Sequence, residues 1–241
     1  MNRLCAISIL ILLLFAPLTL PAQPEGVRVS TWVREDLFAG FLADDQESLQ
    51  AGIKKLDAIL AGQPDNAGAL AWRASIDYYR AVRAHEQGDR AKFERLYQQS
   101  MDAFRNLYET APQDISVLAV TSGATSLFAG RFPEPQRTES FQLSRDRFEA
   151  LARAQSEFFD KMPAHHRGEV LAGLAQAEEH LGNRARSREH LTRIVNTLGG
   201  TPYELPARKW LDDPGASGGT RITCLSCHEP GRLENAASRK P

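Results

Sequence analysis

"LAGLAQAEEHLGNRARSREHLTRIV", residues Leu171 to Val195, decides how this chain folds. Leu171, Leu174, Glu178 and Leu181 recur every three or four residues, the spacing that puts side chains on one face of an α-helix. Gly182 then interrupts the pattern in "HLGNR". Glycine reaches positive φ without a Cβ clash, so it ends one helix and turns the chain. Leu191 and Ile194 resume the helical spacing at once. The stretch alone predicts two helices joined by a tight turn.

The same pattern extends outward. Ala69, Trp72, Ile76, Tyr79 and Val82 form one helical stripe, and Phe93, Leu96, Ser100, Phe104, Leu107 and Ala111 form a second. Phe148, Leu151, Gln155, Phe158 and Met162 predict a third. Nowhere does a period of two persist, so residues 44–211 are expected to be almost entirely helical. "EQGDR" around Gly88 is a second glycine turn. In "AGQPDNAGAL" and "ETAPQDISVL", Pro64 and Pro112 stand where a helix cannot continue, with Asp65 and Asp114 available as N-caps for the next one. "TSGATSLFAG", residues 121–130, reads as the continuation of a helix. Trp72, Tyr78, Tyr79, Tyr97 and Tyr108 could line a groove, but aromatic residues at helical spacing read first as core. The charged stretch "RSREHLTR" and the adjacent carboxylates Asp44-Asp45, Glu178-Glu179 and Asp212-Asp213 read as solvated surface.

The hairpin of Leu171 to Val195 resembles the helix-turn-helix unit of tetratricopeptide repeats, with small Ala175 in its first helix, Leu181-Gly182 at the turn, and Leu191 and Ile194 in its second. "LDAILAGQPDNAGAL" and "FRNLYETAPQD" are similar to second helices of such repeats, each ended by a proline. Pro64, Pro112 and Pro163 stand 48 and 51 residues apart, wider than the roughly 34 residues of the regular unit. The repeat is therefore irregular, with "GRFPEPQRTES" as an insertion. The resemblance implies an all-α, TPR-like α-solenoid: a right-handed stack of helix pairs whose concave surface takes a peptide or partner protein.

The N-terminus addresses the compartment. Met1-Asn2-Arg3 is a short basic start, Leu4 to Leu20 is nearly all apolar, and Pro21-Ala22-Gln23 offers a small residue for cleavage. This reads as a signal peptide over 1–22, followed by a lead-in helix over 23–43, in a bacterial protein that is periplasmic or secreted. The apolar run of 17 residues is just long enough to serve instead as an uncleaved anchor; cleavage leaves no membrane span and removes Cys5. The 29 basic and 30 acidic residues give a net charge of −1 and no one-signed field, which argues against nucleic acid as a partner.

Beyond Trp210 the composition changes. "LDDPGASGGTRIT" is rich in Gly, Pro, Asp and Ser and reads as an irregular connector leading away from the last helix, opening a tail over 212–241. That tail holds "CLSCH": Cys224, Cys227 and His228. C-x-x-C-H is the attachment pattern of c-type haem, in which two thiols form thioethers with the vinyl groups and the histidine imidazole binds the iron. Cys224 and Cys227 are the cysteines left after signal removal, in a compartment where free thiols do not persist. One covalent haem c is the cofactor expected, with a bridged C-x-x-C disulfide and a zinc site as alternatives.

The segment resembles the attachment site of c-type cytochromes but departs from their domains downstream, where "EPGRLENAASRKP" supplies neither Met nor His. A second axial ligand must then come from the helical body, from Met101, Met162, His85, His165, His166, His180 or His190, or the iron stays open. "KMPAHHRG" is the densest of these clusters and reads as a loop between helices. Arg232 is a candidate partner for a haem propionate. No catalytic residue is assigned, because no nucleophile elbow, zinc-protease, P-loop or dinucleotide fingerprint occurs. The whole resembles exported bacterial tetratricopeptide proteins with a terminal haem motif, and the expected role is an electron-transfer or haem-bearing subunit docked to a partner protein. A peptide-binding scaffold with a disulfide, and a haem enzyme or sensor with an open iron, remain the alternatives.

Overall fold

The computed structural model describes residues 29–218 together with 222 and 223. Residues 1–22 of the expected signal, Cys224, Cys227, His228 and Arg232 lie outside the described residues. Among the described residues the regular structure is nine α-helices and three short 3-10 segments, with no strand, so the chain is all-α as its periodicity requires. The helices are α1 (Thr31–Ala43), α2 (Gln46–Gly62), α3 (Ala67–Glu86), α4 (Arg90–Thr110), α5 (Ile115–Phe128), α6 (Gln136–Ala154), α7 (Ala164–His180), α8 (Arg184–Thr197) and α9 (Glu204–Asp212). None is long and apolar enough to cross a membrane.

The quoted hairpin is α7 and α8. Gly182 takes φ +81°, and around it Asn183 N–H donates to the Glu178 carbonyl at 2.8 Å while Gly182 N–H donates to Glu179 at 3.0 Å. These are the paired bonds with which a left-handed residue closes a helix C-terminus. Gly88, at φ +76°, repeats them between α3 and α4, through Asp89 N–H to Ala84 and Gly88 N–H to His85. Helix starts are capped in turn: the Asp114 carboxylate accepts from Ser116 and Val117 N–H, as expected. For α3 the cap is Asn66, which accepts from Ala69 N–H at 2.9 Å, rather than Asp65. Asp65 lies inside the turn that Asn66 N–H closes on the Gln63 carbonyl at 3.1 Å.

Four hairpins follow, α1 with α2, α3 with α4, α5 with α6 and α7 with α8, and they stack: α3 lies on α5, α5 on α7, and α6 on α7. The predicted stripes are the packed faces. Ala69, Trp72, Ile76, Tyr79 and Val82 of α3 are all buried, as are Phe93, Leu96, Phe104 and Leu107 of α4. Tyr78, Tyr79 and Tyr97 belong to the core and not to a groove, and the Tyr78 hydroxyl meets its need for a partner by donating to Ser140 Oγ at 2.5 Å. Tyr108 lies half-buried beneath the Arg147 guanidinium, 3.6 Å from its ring centre.

Three expectations change. The third stripe stops short, because α6 ends at Ala154 and Phe158 is 49% exposed. Met162 precedes Pro163, whose ring disfavours a helical residue before it, so the segment turns through a 3-10 step at Phe159–Lys161. "KMPAHHRG" is a loop only in its first part, where Met162 and Pro163 link the 3-10 step to α7, while His165 and His166 stand in the first turn of α7. Glu178 is fully buried and not solvated; it is held by Asn183 Nδ2 at 2.7 Å and by Arg186, whose Nε lies 3.3 Å from its other oxygen.

The connector after α9 does not lead away either. A 3-10 segment spans Pro214–Gly218, Ala216 is buried, and Ile222 and Thr223 are 0% and 1% exposed. Ile222 joins Trp210, Leu191 and Ile194 in the core of the C-terminal half.

Candidate functional site

The described residues end with Ile222 and Thr223, just before Cys224 in sequence, and Ile222 is held on α7. The approach begins at Gly168, where a Cβ would sit 2.3 Å from the Tyr203 ring, so only glycine lets the start of α9 close on this helix. The Tyr203 hydroxyl donates to Glu169 at 2.7 Å and lies 3.0 Å from His165 Nδ1. Farther along the chain Ile222 meets Gln176, two turns nearer the C-terminal end of the same helix. The contacts climb α7 from Gly168 to Gln176.

Gln176 is the polar pin of this arrangement. It is 3% exposed among the buried residues Val170 to Glu178, where an unpaired amide would cost about 1–3 kcal/mol. Its Nε2 donates to the Ser126 carbonyl at 2.9 Å and to Ser126 Oγ at 3.2 Å, and its Oε1 accepts from Ile222 N–H at 3.4 Å. One side chain thus ties α5, α7 and the tail together. Thr223 Oγ1 is buried with no hydrogen-bond partner among the described residues.

The body's candidate axial ligands are scattered. Met101 is 1% exposed inside α4, and the His85 ring lies 5.2 Å from Phe93 at the end of α3. Met162 packs half-buried on the C-terminal core. His165 and His166 sit 5.6 Å apart at the N-terminal end of α7, three turns from Gln176. His190 on α8 has a buried Nε2 with no hydrogen-bond partner among the described residues; burial, then the Arg186 charge, pushes its pKa down. His180 closes α7, its ring stacked on Phe141 at 4.2 Å and 11° while the residue remains at the surface. The stacked face is shielded from water, and this desolvation lowers its pKa and favours the neutral imidazole that a metal needs. Among the described residues no three His, Cys, Asp or Glu side chains converge as a metal site.

Two thiols and an imidazole at this spacing suit a haem bound through thioethers to its vinyl groups and an imidazole on its iron, and a fixed chain just before the first cysteine suits a cofactor that must be presented at a constant position. Sequence reasoning did not find Gln176, Ser126, Ile222 or Thr223. The signal was faint but present: proline aside, Ile222 is the one apolar residue larger than alanine between Leu211 and Cys224, and Gln176 is a lone amide among leucines and alanines. No protein-family profile matches the chain, and no curated protein or solved structure does either.

Proposed function

We propose that this chain is an exported helical-repeat protein that carries one covalent c-type haem on its C-terminal segment and serves as an electron-transfer or haem-bearing subunit docked to a partner protein. The observation that carries the reading is the C-x-x-C-H segment of Cys224, Cys227 and His228, behind an N-terminus patterned for export, where haem is attached. The burial of Ile222 and Thr223 supports it, because a tail rooted in the core has a defined position to present.

On this reading Cys224 and Cys227 form thioethers with the porphyrin and His228 supplies an imidazole nitrogen to the iron. When bound, the haem supplies a one-electron ferric/ferrous couple. Covalent attachment removes the need for a pocket that encloses the ring, so a short segment suffices. The Gln176 pin and the Ile222 anchor hold the chain just before Cys224 against the helices, and the tetratricopeptide-like stack offers its surface to the partner.

The test is expression of the full chain in a host with haem-maturation machinery, followed by denaturing electrophoresis and a haem stain. A stained band that disappears in the Cys224→Ser/Cys227→Ser variant supports the proposal. A colourless band from correctly exported wild-type protein overturns it.

A further inference from the structure

Ile222 is held by two helices at once. Its N–H is bound by Gln176 of α7, and its side chain lies in one apolar cluster with Leu191 and Ile194 of α8. The anchor therefore spans the α7–α8 interface, and what loosens that interface loosens the anchor. Polar groups are buried there. Glu178 of α7 and Ser187 of α8 are both 0% exposed, and Glu178 Oε1, Ser187 Oγ and His190 Nε2 are buried atoms without a hydrogen-bond partner among the described residues. His190 follows Ser187 by three residues and precedes Ile194 by four, so these three side chains share one face of α8. Imidazole is the group among them whose charge ordinarily changes between pH 5 and 8.

In the imidazolium both ring nitrogens carry hydrogen, so Nε2 becomes, whichever tautomer precedes it, a buried N–H with no acceptor bonded to it. The surrounding charges are already committed. Glu178 is held by Asn183 and Arg186; Arg186 also pairs with Glu149 of α6, which lies 3.6 Å from Arg153, and Arg193 pairs with Asp160 of the 3-10 step. Arg186 and Arg193 oppose a charge on His190, while Glu178 and Glu189 favour it. Burial and Arg186 lead, and they hold the folded pKa below 6.5. A hairpin that has opened there takes up the proton first.

We infer that the α7–α8 interface is an acid-sensitive clasp on the tail: protonation of His190 favours a state in which the hairpin loosens and Ile222 leaves it, ahead of global unfolding. The clasp needs no cofactor and stands apart from the haem reading. Because the opened state titrates near the ordinary 6.5, opening becomes easier as pH falls below that value, by at most about tenfold per pH unit.

Hydrogen-exchange mass spectrometry on the full chain at pH 7.5 and 5.5, with rates divided by the intrinsic rate at each pH, tests the clasp. In the wild type, protection of the peptide covering 211–223 is expected to fall by up to about tenfold at pH 5.5 while far-ultraviolet circular dichroism holds. His190→Gln, which keeps a polar side chain that cannot charge, is expected to show equal protection at both pH values. His180→Gln, at the end of α7, is expected to respond as the wild type does. Exchange of the imidazole C2 hydrogen in the peptide carrying His190 gives a second readout, with an expected midpoint below 6.5. Equal protection of the wild type at both pH values, an acid-induced loss that persists in His190→Gln, or a C2 midpoint at or above 6.5 would overturn the clasp. Should His190→Gln fail to fold, the wild-type protection and C2 midpoint decide by themselves.

Discussion

Ile222→Ala tests whether the tail is part of the folded body. Ile222 is 0% exposed and packs in one cluster with Trp210, Leu191 and Ile194. The substitution removes three carbons, worth about 2–2.5 kcal/mol at roughly 0.8 kcal/mol per buried methylene. The cavity left behind brings the total to about 3 kcal/mol or slightly more. The backbone N–H to Gln176 is untouched, so the loss comes from packing alone. If the tail unfolds together with the helices, Tm falls by about 6–12 °C, taking roughly 2–4 °C per kcal/mol for a chain of this size. If the tail detaches by itself, Tm holds while amide exchange in the peptide covering 211–223 speeds up. Thermal unfolding and hydrogen-exchange mass spectrometry on the same samples separate the two. Wild-type Tm together with wild-type exchange in Ile222→Ala would refute the claim that Ile222 anchors the tail.

Two glycines on stacked helices respond oppositely to the same change. A Cβ at Gly173 would lie 2.1 Å from the Phe148 ring, so Gly173→Ala forces α6 and α7 apart and costs about 1–3 kcal/mol, read as a lower denaturation midpoint. A Cβ at Gly123 on α5 meets nothing within 4 Å, and Gly123→Ala raises the midpoint by about 0.5–1 kcal/mol through reduced freedom of the unfolded chain. Gly182→Ala, at φ +81°, costs roughly 1–2 kcal/mol despite open space, because the left-handed backbone itself is strained for alanine. For His190, burial and Arg186 hold the folded pKa below the ordinary 6.5, so the unfolded chain binds the proton first. Its contribution is fully present above pH 6.5 and is lost as pH falls toward the folded pKa. His190→Gln is therefore expected to flatten the decline in Tm between about pH 7.5 and 5.5, as measured by calorimetry.

Much of the fold was legible because helical spacing and glycine turns are local. Gly88 and Gly182 announced their hairpins, since left-handed backbone strongly favours glycine, and the stripes of α3 and α4 named their own buried faces. The third stripe ran past the end of α6 at Ala154, and its last residue, Met162, takes the extended conformation that a following proline favours, which spacing alone does not register. His165 and His166 were misplaced for the same reason: the proline that stops one segment also opens α7. Glu178 looked solvated since its partner Arg186 comes from the next helix, and a charge's neighbours across a hairpin are not written in its own helix.

The chemistry of the candidate site was read from the order Cys224, Cys227, His228, because covalent attachment depends on spacing along the chain. The anchoring of the chain just before it was not legible. That anchoring depends on Gln176 satisfying both Ser126 and Ile222, residues 50 and 46 places away from it that only the packed helices bring together. A connector rich in glycine and serine hid a single anchoring isoleucine.

Intact mass of the chain purified from the periplasm of a haem-maturing host, compared with the Cys224→Ser/Cys227→Ser variant, reaches the central claim most directly. The account predicts a wild-type mass equal to the processed polypeptide plus one haem, and a variant mass without it. A wild-type mass equal to the polypeptide alone, or lighter only by the hydrogens lost to a disulfide, would contradict it.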